Sequence, residues 1–77
     1  MNYISKNTVF WMNNYNGSIL KIKVLSNPEN DSENNLIQLI QLYSWSDETT
    51  IKTHYTFVSA INNWFDHRFL DMDILEE

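Results

Sequence analysis

The 77-residue sequence contains no cysteine, one glycine and one proline. Lack of cysteine excludes a disulfide framework and a thiolate zinc staple. A single glycine excludes a glycine-rich phosphate loop and a dinucleotide fingerprint. No serine sits in a G-x-S-x-G elbow, so that route to nucleophilic catalysis is absent. Apolar runs are far too short to span a bilayer, and no membrane association is expected. The first six residues carry no apolar signal core, so a cytoplasmic location is expected. Basic residues are scarce, 5 against 10 acids, for a net charge of -5. Direct nucleic-acid binding is therefore not expected. Apolar residues, at 43%, and aromatics, at 14%, are plentiful. They argue against disorder and for one domain over residues 1–77, with large rings supplying much of its core.

Residues 8–15 and 18–25 are rich in β-branched and aromatic side chains and flank Asn16 and Gly17. Asn-Gly between two such runs predicts a hairpin with a two-residue type I′ turn. That turn pairs Asn13 with Leu20, Trp11 with Ile22, and Val9 with Val24. Val9, Trp11, Leu20, Ile22 and Val24 then form the core face, with Phe10, Met12, Lys21 and Lys23 on the other. Residues 27–35 read as a nine-residue polar loop holding the only proline. Residues 36–45 fit both periods. Leu36, Ile37, Leu39, Ile40 and Tyr43 have helical spacing, and Ile37, Leu39, Tyr43 and Trp45 alternate. Their place between a hairpin and another β-rich run selects a strand. A turn at Asp47 and Glu48 leads to a fourth strand over 49–55, where Ile51, Thr53 and Tyr55 alternate with Lys52 and His54.

Phe57, Val58, Ile61, Trp64, Phe65, Phe69 and Met72 then make one apolar stripe at helical spacing, with Thr56 as the expected N-cap. Asn62, Asn63, Asp66, His67 and Asp73 take the opposite side. The fold class is α+β: a small antiparallel sheet of about four strands, opened by an N-terminal hairpin, with one C-terminal amphipathic helix on one face. The other sheet face is left uncovered, and Phe10, Met12 and Ile19 are expected on it.

Charge is unevenly distributed along the chain. Residues 1–28 hold Lys6, Lys21 and Lys23 and no acid, whereas 29–51 hold five acids and no base. The acids cluster in the loop (Glu29, Asp31, Glu33), the turn (Asp47, Glu48) and the tail (Asp66, Asp71, Asp73, Glu76, Glu77). His67 and Asp71 have helical i, i+4 spacing, but two ligands do not complete a metal site. Asp71 and Asp73 point apart on a helix and form no acid–base dyad. So small a domain leaves little room for an enzymatic cleft. The reading is of a protein that is not an enzyme and that takes no metal or cofactor.

Phe57, Val58, Ser59 and Ala60, followed by Asn63, Trp64 and an acid-rich end, resemble the helix of the small acidic phage-encoded type II-A anti-CRISPR inhibitors. Residues 36–40 are similar to a strand of that family. The resemblance implies a DNA mimic that fills the site where a CRISPR nuclease reads its protospacer-adjacent motif. It also implies that Asp66, Asp71 and Asp73 belong to the family's acidic segment. Physics supplies a separate warrant, because an acidic surface meets the Lys and Arg that otherwise bind phosphates. The expected function is an inhibitor binding a host protein with a basic nucleic-acid-binding site. The expected contacts are Glu29, Asp31, Glu33, Asp47, Glu48, Asp66, Asp71 and Asp73. The alternative is a protein-interaction or homodimerisation module using the uncovered sheet face.

Overall fold

The computed structural model describes residues 2–13, 19–44 and 50–69. Its elements are β1 (Val9–Asn13), β2 (Ile19–Val24), β3 (Glu29–Asn30), β4 (Leu36–Ser44), β5 (Thr50–Phe57) and α1 (Val58–Asp66). All pairings are antiparallel: β1 with β2, and β4 with β2, β3 and β5. Ile37 pairs with both Glu29 and Phe57, and Gln41 with both Lys23 and Thr53. Hence β2 and β3 share one edge of β4 and β5 takes the other. The result is a four-layer-wide meander, β1–β2/β3–β4–β5, that curls around one C-terminal helix. This is the expected α+β class, with 36–44 a strand.

The hairpin register differs from expectation by one residue. Val9 pairs with Lys23, Phe10 with Ile22, Trp11 with Lys21 and Met12 with Leu20. Five residues separate the last pair, Asn13 and Ile19, and an odd number cannot close a two-residue turn. Asn16 and Gly17 themselves lie outside the described residues. On β1 the shift exchanges the two faces. Phe10 is buried and meets Phe65 edge-on, with centroids 5.2 Å apart at 85°. Met12 packs against the same core, while Val9 is exposed. Phe10 and Met12 are therefore not on the uncovered face. β2 keeps its expected sides, with Ile22 and Val24 buried.

The polar segment 27–35 is not all loop. Glu29 and Asn30 add a short strand opposite Ile37 and Leu36. The loop shrinks to five residues, closed by Asp31. Its Oδ1 accepts from the backbone N–H of Glu33 (2.8 Å) and Asn35 (2.9 Å), and Asn34 takes a φ of 65°. Such an Asx turn is what Asp and Asn supply more readily than other residues. Between β2 and β3 the strand kinks at Ser26. The Ser26 hydroxyl accepts the Leu39 N–H at 2.8 Å in place of a backbone partner. Gln38, fully buried, donates its amide to the carbonyls of Ile4 (2.7 Å) and Ser26 (3.0 Å). One side chain thus ties the N-terminal segment and the kink to β4.

The helix is shorter than its apolar stripe suggested. Its N-cap is Phe57, with no side-chain cap bond, and Thr56 remains in β5. Strand pairing with Ile37 holds Phe57 in the sheet, where it is 52% exposed. Val58 and Ile61 are buried, and Trp64 and Phe65 pack against the core. After Asp66 the backbone bonds tighten, His67 N–H to Trp64 O and Arg68 N–H to Phe65 O. The Arg68 guanidinium lies 3.7 Å above the Phe65 ring and also donates to that residue's carbonyl at 2.7 Å, satisfying a terminal acceptor. Phe69 has left the helix, and its N–H bonds Trp11 O at 2.9 Å. Met72 lies outside the described residues.

Candidate interaction surface

Strand pairing fixes which side chains share the sheet face away from α1. Even-numbered residues of β2 and β4 (Ile22, Val24, Gln38, Ile40) point to the core. Odd-numbered ones therefore point outward. Cross-strand rows can then be read off the register. Trp11, Lys21 and Tyr43 form one row, and Val9, Lys23, Gln41 and Thr53 the next. Leu39 and Tyr55 follow, and Glu29, Ile37 and Phe57 close the far end. Among the described residues no element covers this face. Val9, Tyr55 and Phe57 are exposed on it, and Ile37 and Leu39 are half-buried. Lys21 Nζ stands 4.7 Å from the centroid of the Tyr43 ring, whose hydroxyl donates to Gln41 Oε1. The face is thus apolar and aromatic in the middle, cationic at one end and carries one carboxylate at the other.

These residues were not expected there, apart from Lys21, Lys23 and Ile19. The signal lay in the lysines. Two lysines on one side of β2 must face water, so whatever pairs with them faces outward too. Register decides those partners, and the odd connection makes them Val9 and Trp11 rather than Phe10 and Met12.

Four of the expected acidic residues, Glu29, Asp31, Glu33 and Asp66, are among the described residues. Glu29 sits on β3 opposite Ile37, and Glu33 is exposed in the adjoining loop. Asp31 serves its own turn. Its pKa lies below the ordinary carboxylate value, chiefly through the Asn35 N–H, which outweighs an opposing desolvation; the Glu33 N–H and the Asn35 side chain lower it further. Asp66 ends α1 and is exposed. That end of the helix lies by β1, as the Phe69–Trp11 bond shows, away from the β3 hairpin. Asp47, Glu48, Asp71 and Asp73 fall outside the described residues. Glu29, Asp31 and Glu33 are therefore brought together, and Asp66 is not among them.

A cleft of about 410 Å³ opens on the helix side between Met12, Leu20, Leu42 and Trp64, with His67 at its rim. Its lining is mainly apolar, with Asn13 and Asn63 as polar members, and His67 is the one titratable side chain among the described residues there. The His67 Nδ1 lies 2.8 Å from Asn63 O. Its partner in the proposed i, i+4 pair, Asp71, is outside the described residues. No group of three potential metal-ligating side chains occurs among the described residues. On β5, His54 faces the core opposite Ile40, and its Nδ1 is buried without a hydrogen-bond partner. Desolvation, reinforced by Lys52, holds this imidazole below its ordinary pKa.

No helix among the described residues is long and apolar enough to cross a membrane. No protein-family model, curated protein or solved structure matches this chain.

Proposed function

We propose that this chain is a non-enzymatic cytoplasmic protein-interaction module that docks a partner protein on the uncovered face of its sheet. The observation that carries this is the aromatic and aliphatic band of Leu39, Tyr55, Ile37 and Phe57, flanked by Lys21 and Lys23. Aromatic side chains on a rigid sheet lose little entropy on binding and dominate interface energetics. Tyr55 is 49% and Phe57 52% exposed. Each therefore leaves about 100 Å² to be covered, or ~2.5 kcal/mol of transfer free energy before association costs. The fitting partner offers an apolar patch with carboxylates placed to meet the two lysines.

The test compares capture of an interacting protein by the wild type, by a Val9→Ser/Phe57→Ser variant, and by a Glu29→Gln/Glu33→Gln variant. Both serine positions are exposed, and serine at 57 supplies the helix with a better N-cap than phenylalanine. A partner lost by the serine variant and kept by the glutamine variant supports the face. The reverse pattern, or no interacting protein at all, sinks it.

A second reading keeps the acidic inhibitor that mimics DNA, in the anti-CRISPR manner, against a host protein with a basic nucleic-acid-binding site. Its favouring observation is the β3–β4 hairpin, where a well-bonded turn displays Glu29 and Glu33. That mechanism requires affinity falling steeply with salt. Binding unchanged between low and high salt removes it.

A further inference from the structure

We infer that two copies of this chain join edge to edge through β5, antiparallel about a two-fold axis at Thr53, into one continuous sheet. This is argued from the edge of the sheet and not from the partner proposed above, with which it shares only Tyr55.

The first observation is the edge itself. β5 spans eight residues and pairs with β4 on one side, and among the described residues nothing pairs with the other. An open edge of this length presents unpaired N–H and C=O groups, which proteins usually blunt with charges, proline, bulges or a covering segment. Here the blunting devices, Lys52 and the register shift at Ile51, are confined to the start of the strand, and from Thr53 to Phe57 the edge has no fixed charge, proline or bulge. The opposite edge of the sheet is treated differently, since Phe69 donates to Trp11 on β1. Ile51, 56% exposed, and Tyr55 are left open on β5.

The second observation is the sequence around Thr53, where an aliphatic and a basic residue on one side (Ile51, Lys52) are matched by an aromatic and an imidazole on the other (Tyr55, His54). An antiparallel pair related by a two-fold axis must centre on a residue, so that both copies keep the same face outward. Centred on Thr53, Ile51 of one copy falls opposite Tyr55 of the other, and Lys52 opposite His54. Ile51 is the residue that the register with β4 skips, so the regular part of the match runs from Lys52 to Tyr55. A β-branched residue against an aromatic is a favourable cross-strand pair, and so is Thr53 against its own copy on the axis. Desolvation and Lys52 lower the His54 pKa, which disfavours the charged form and so lessens repulsion with the second copy's lysine. The exposed Ile51 and Tyr55 are then covered by the same contact. Thr53 is exposed and sits opposite Gln41 on the outward face, so its side chain is free to be replaced.

The experiment is sedimentation equilibrium of the full chain up to about 0.5 mM, with oxidative cross-linking of single-cysteine variants. The mass should rise with concentration from 9.2 kDa toward twice that value. Thr53→Lys places two like charges on the axis and should weaken association at least ~tenfold with the circular dichroism unchanged. In Thr53→Cys the two Cα atoms stand about 5 Å apart, within disulfide range, and a cross-linked dimer should form readily. Ile51→Cys is the control, because its two copies lie roughly 13 Å apart along the strands and should not cross-link. Native cysteine is absent, so the disulfide reports on these positions alone. A single-chain mass throughout overturns the inference, as does equal cross-linking of both cysteine variants. Dimerisation lost in Val9→Ser/Phe57→Ser but kept in Thr53→Lys also overturns it, and moves the contact to the sheet face.

Discussion

Replacing Phe10 by alanine separates the observed hairpin register from the one a two-residue turn would impose. In the structure Phe10 is 3% exposed, paired with Ile22 and edge-on to Phe65 at 5.2 Å. Truncating a buried phenylalanine costs about 3–5 kcal/mol, since transfer free energy is lost and a cavity remains. A 77-residue domain has on the order of 4–11 kcal/mol of stability in all. Phe10→Ala therefore removes a third or more of it and leaves the fold marginal. Val9 is 37% exposed and lies opposite Lys23, so Val9→Ala loses β propensity and little packing, about 1 kcal/mol or less. Urea unfolding followed by tryptophan fluorescence gives both values. With a slope near 1 kcal/mol/M, Phe10→Ala should lower the midpoint by roughly 3 M and Val9→Ala by under ~1 M. A double mutant with Phe65→Ala should show coupling of about 0.5–1.5 kcal/mol from the ring pair. If Val9→Ala proved as damaging as Phe10→Ala, or if Phe10 and Phe65 were additive, the register and the core described above would be wrong.

Three further outcomes follow from buried or engaged polar groups. Because the folded-state pKa of His54 is depressed, the unfolded chain takes up its proton first as pH falls. Stability is thus complete above the ordinary histidine pKa and declines below it, until the folded form also protonates; the urea midpoint should fall as pH drops through the ordinary histidine value, and His54→Gln should flatten that dependence. Asp31 is the depressed-carboxylate case, so its contribution is present above the ordinary carboxylate pKa and is lost as pH falls through the lower folded value. Asp31→Ala should speed amide exchange at Glu33 and Asn35 while leaving β4 protected, and unchanged exchange would remove the Asx turn from the account. Gln38→Leu should cost about 1–3 kcal/mol by stranding the carbonyls of Ile4 and Ser26, and should expose the N-terminal segment to proteolysis. An intact N-terminus in that variant would show that Gln38 does not hold it.

The legible parts of this fold were those where one pattern sufficed. Alternation in β2 set its faces, because a slip would bury Lys21 and Lys23. Helical spacing from Val58 to Phe65 located α1. The misread parts are those where two rules competed. Asn16 and Gly17 announce a turn but not how many residues it holds, and parity alone decides whether Phe10 or Trp11 faces the core. In β4 the visible alternation of Ile37, Leu39 and Tyr43 belongs to the outward face, since Gln38 occupies a core position with Ile40 and Leu42. A buried glutamine reads as polar in sequence, and only its two long-range acceptors, Ile4 and Ser26, make it a core residue. Phe57 and Phe69 continue a helical stripe on paper, yet the pairing of Phe57 with Ile37 and the hydrogen bond of Phe69 to Trp11 draw both out of the helix.

The same competition explains why the surface, rather than the acidic residues, emerged as the candidate site. Charge is counted residue by residue, but a docking face depends on which residues the register aligns. Asp31 shows the limit of counting, because its carboxylate satisfies two backbone N–H groups of its own loop and is not idle charge. Conversely, Tyr55 and Phe57 look like core material by type and become surface because one short helix cannot cover both sides of a sheet. A four-strand meander with one helix has one solvated face and an open last strand by construction. What distinguishes this chain is that it fills that face with aromatics and leaves that strand nearly uncharged, both of which add a cost in solubility unless something covers them.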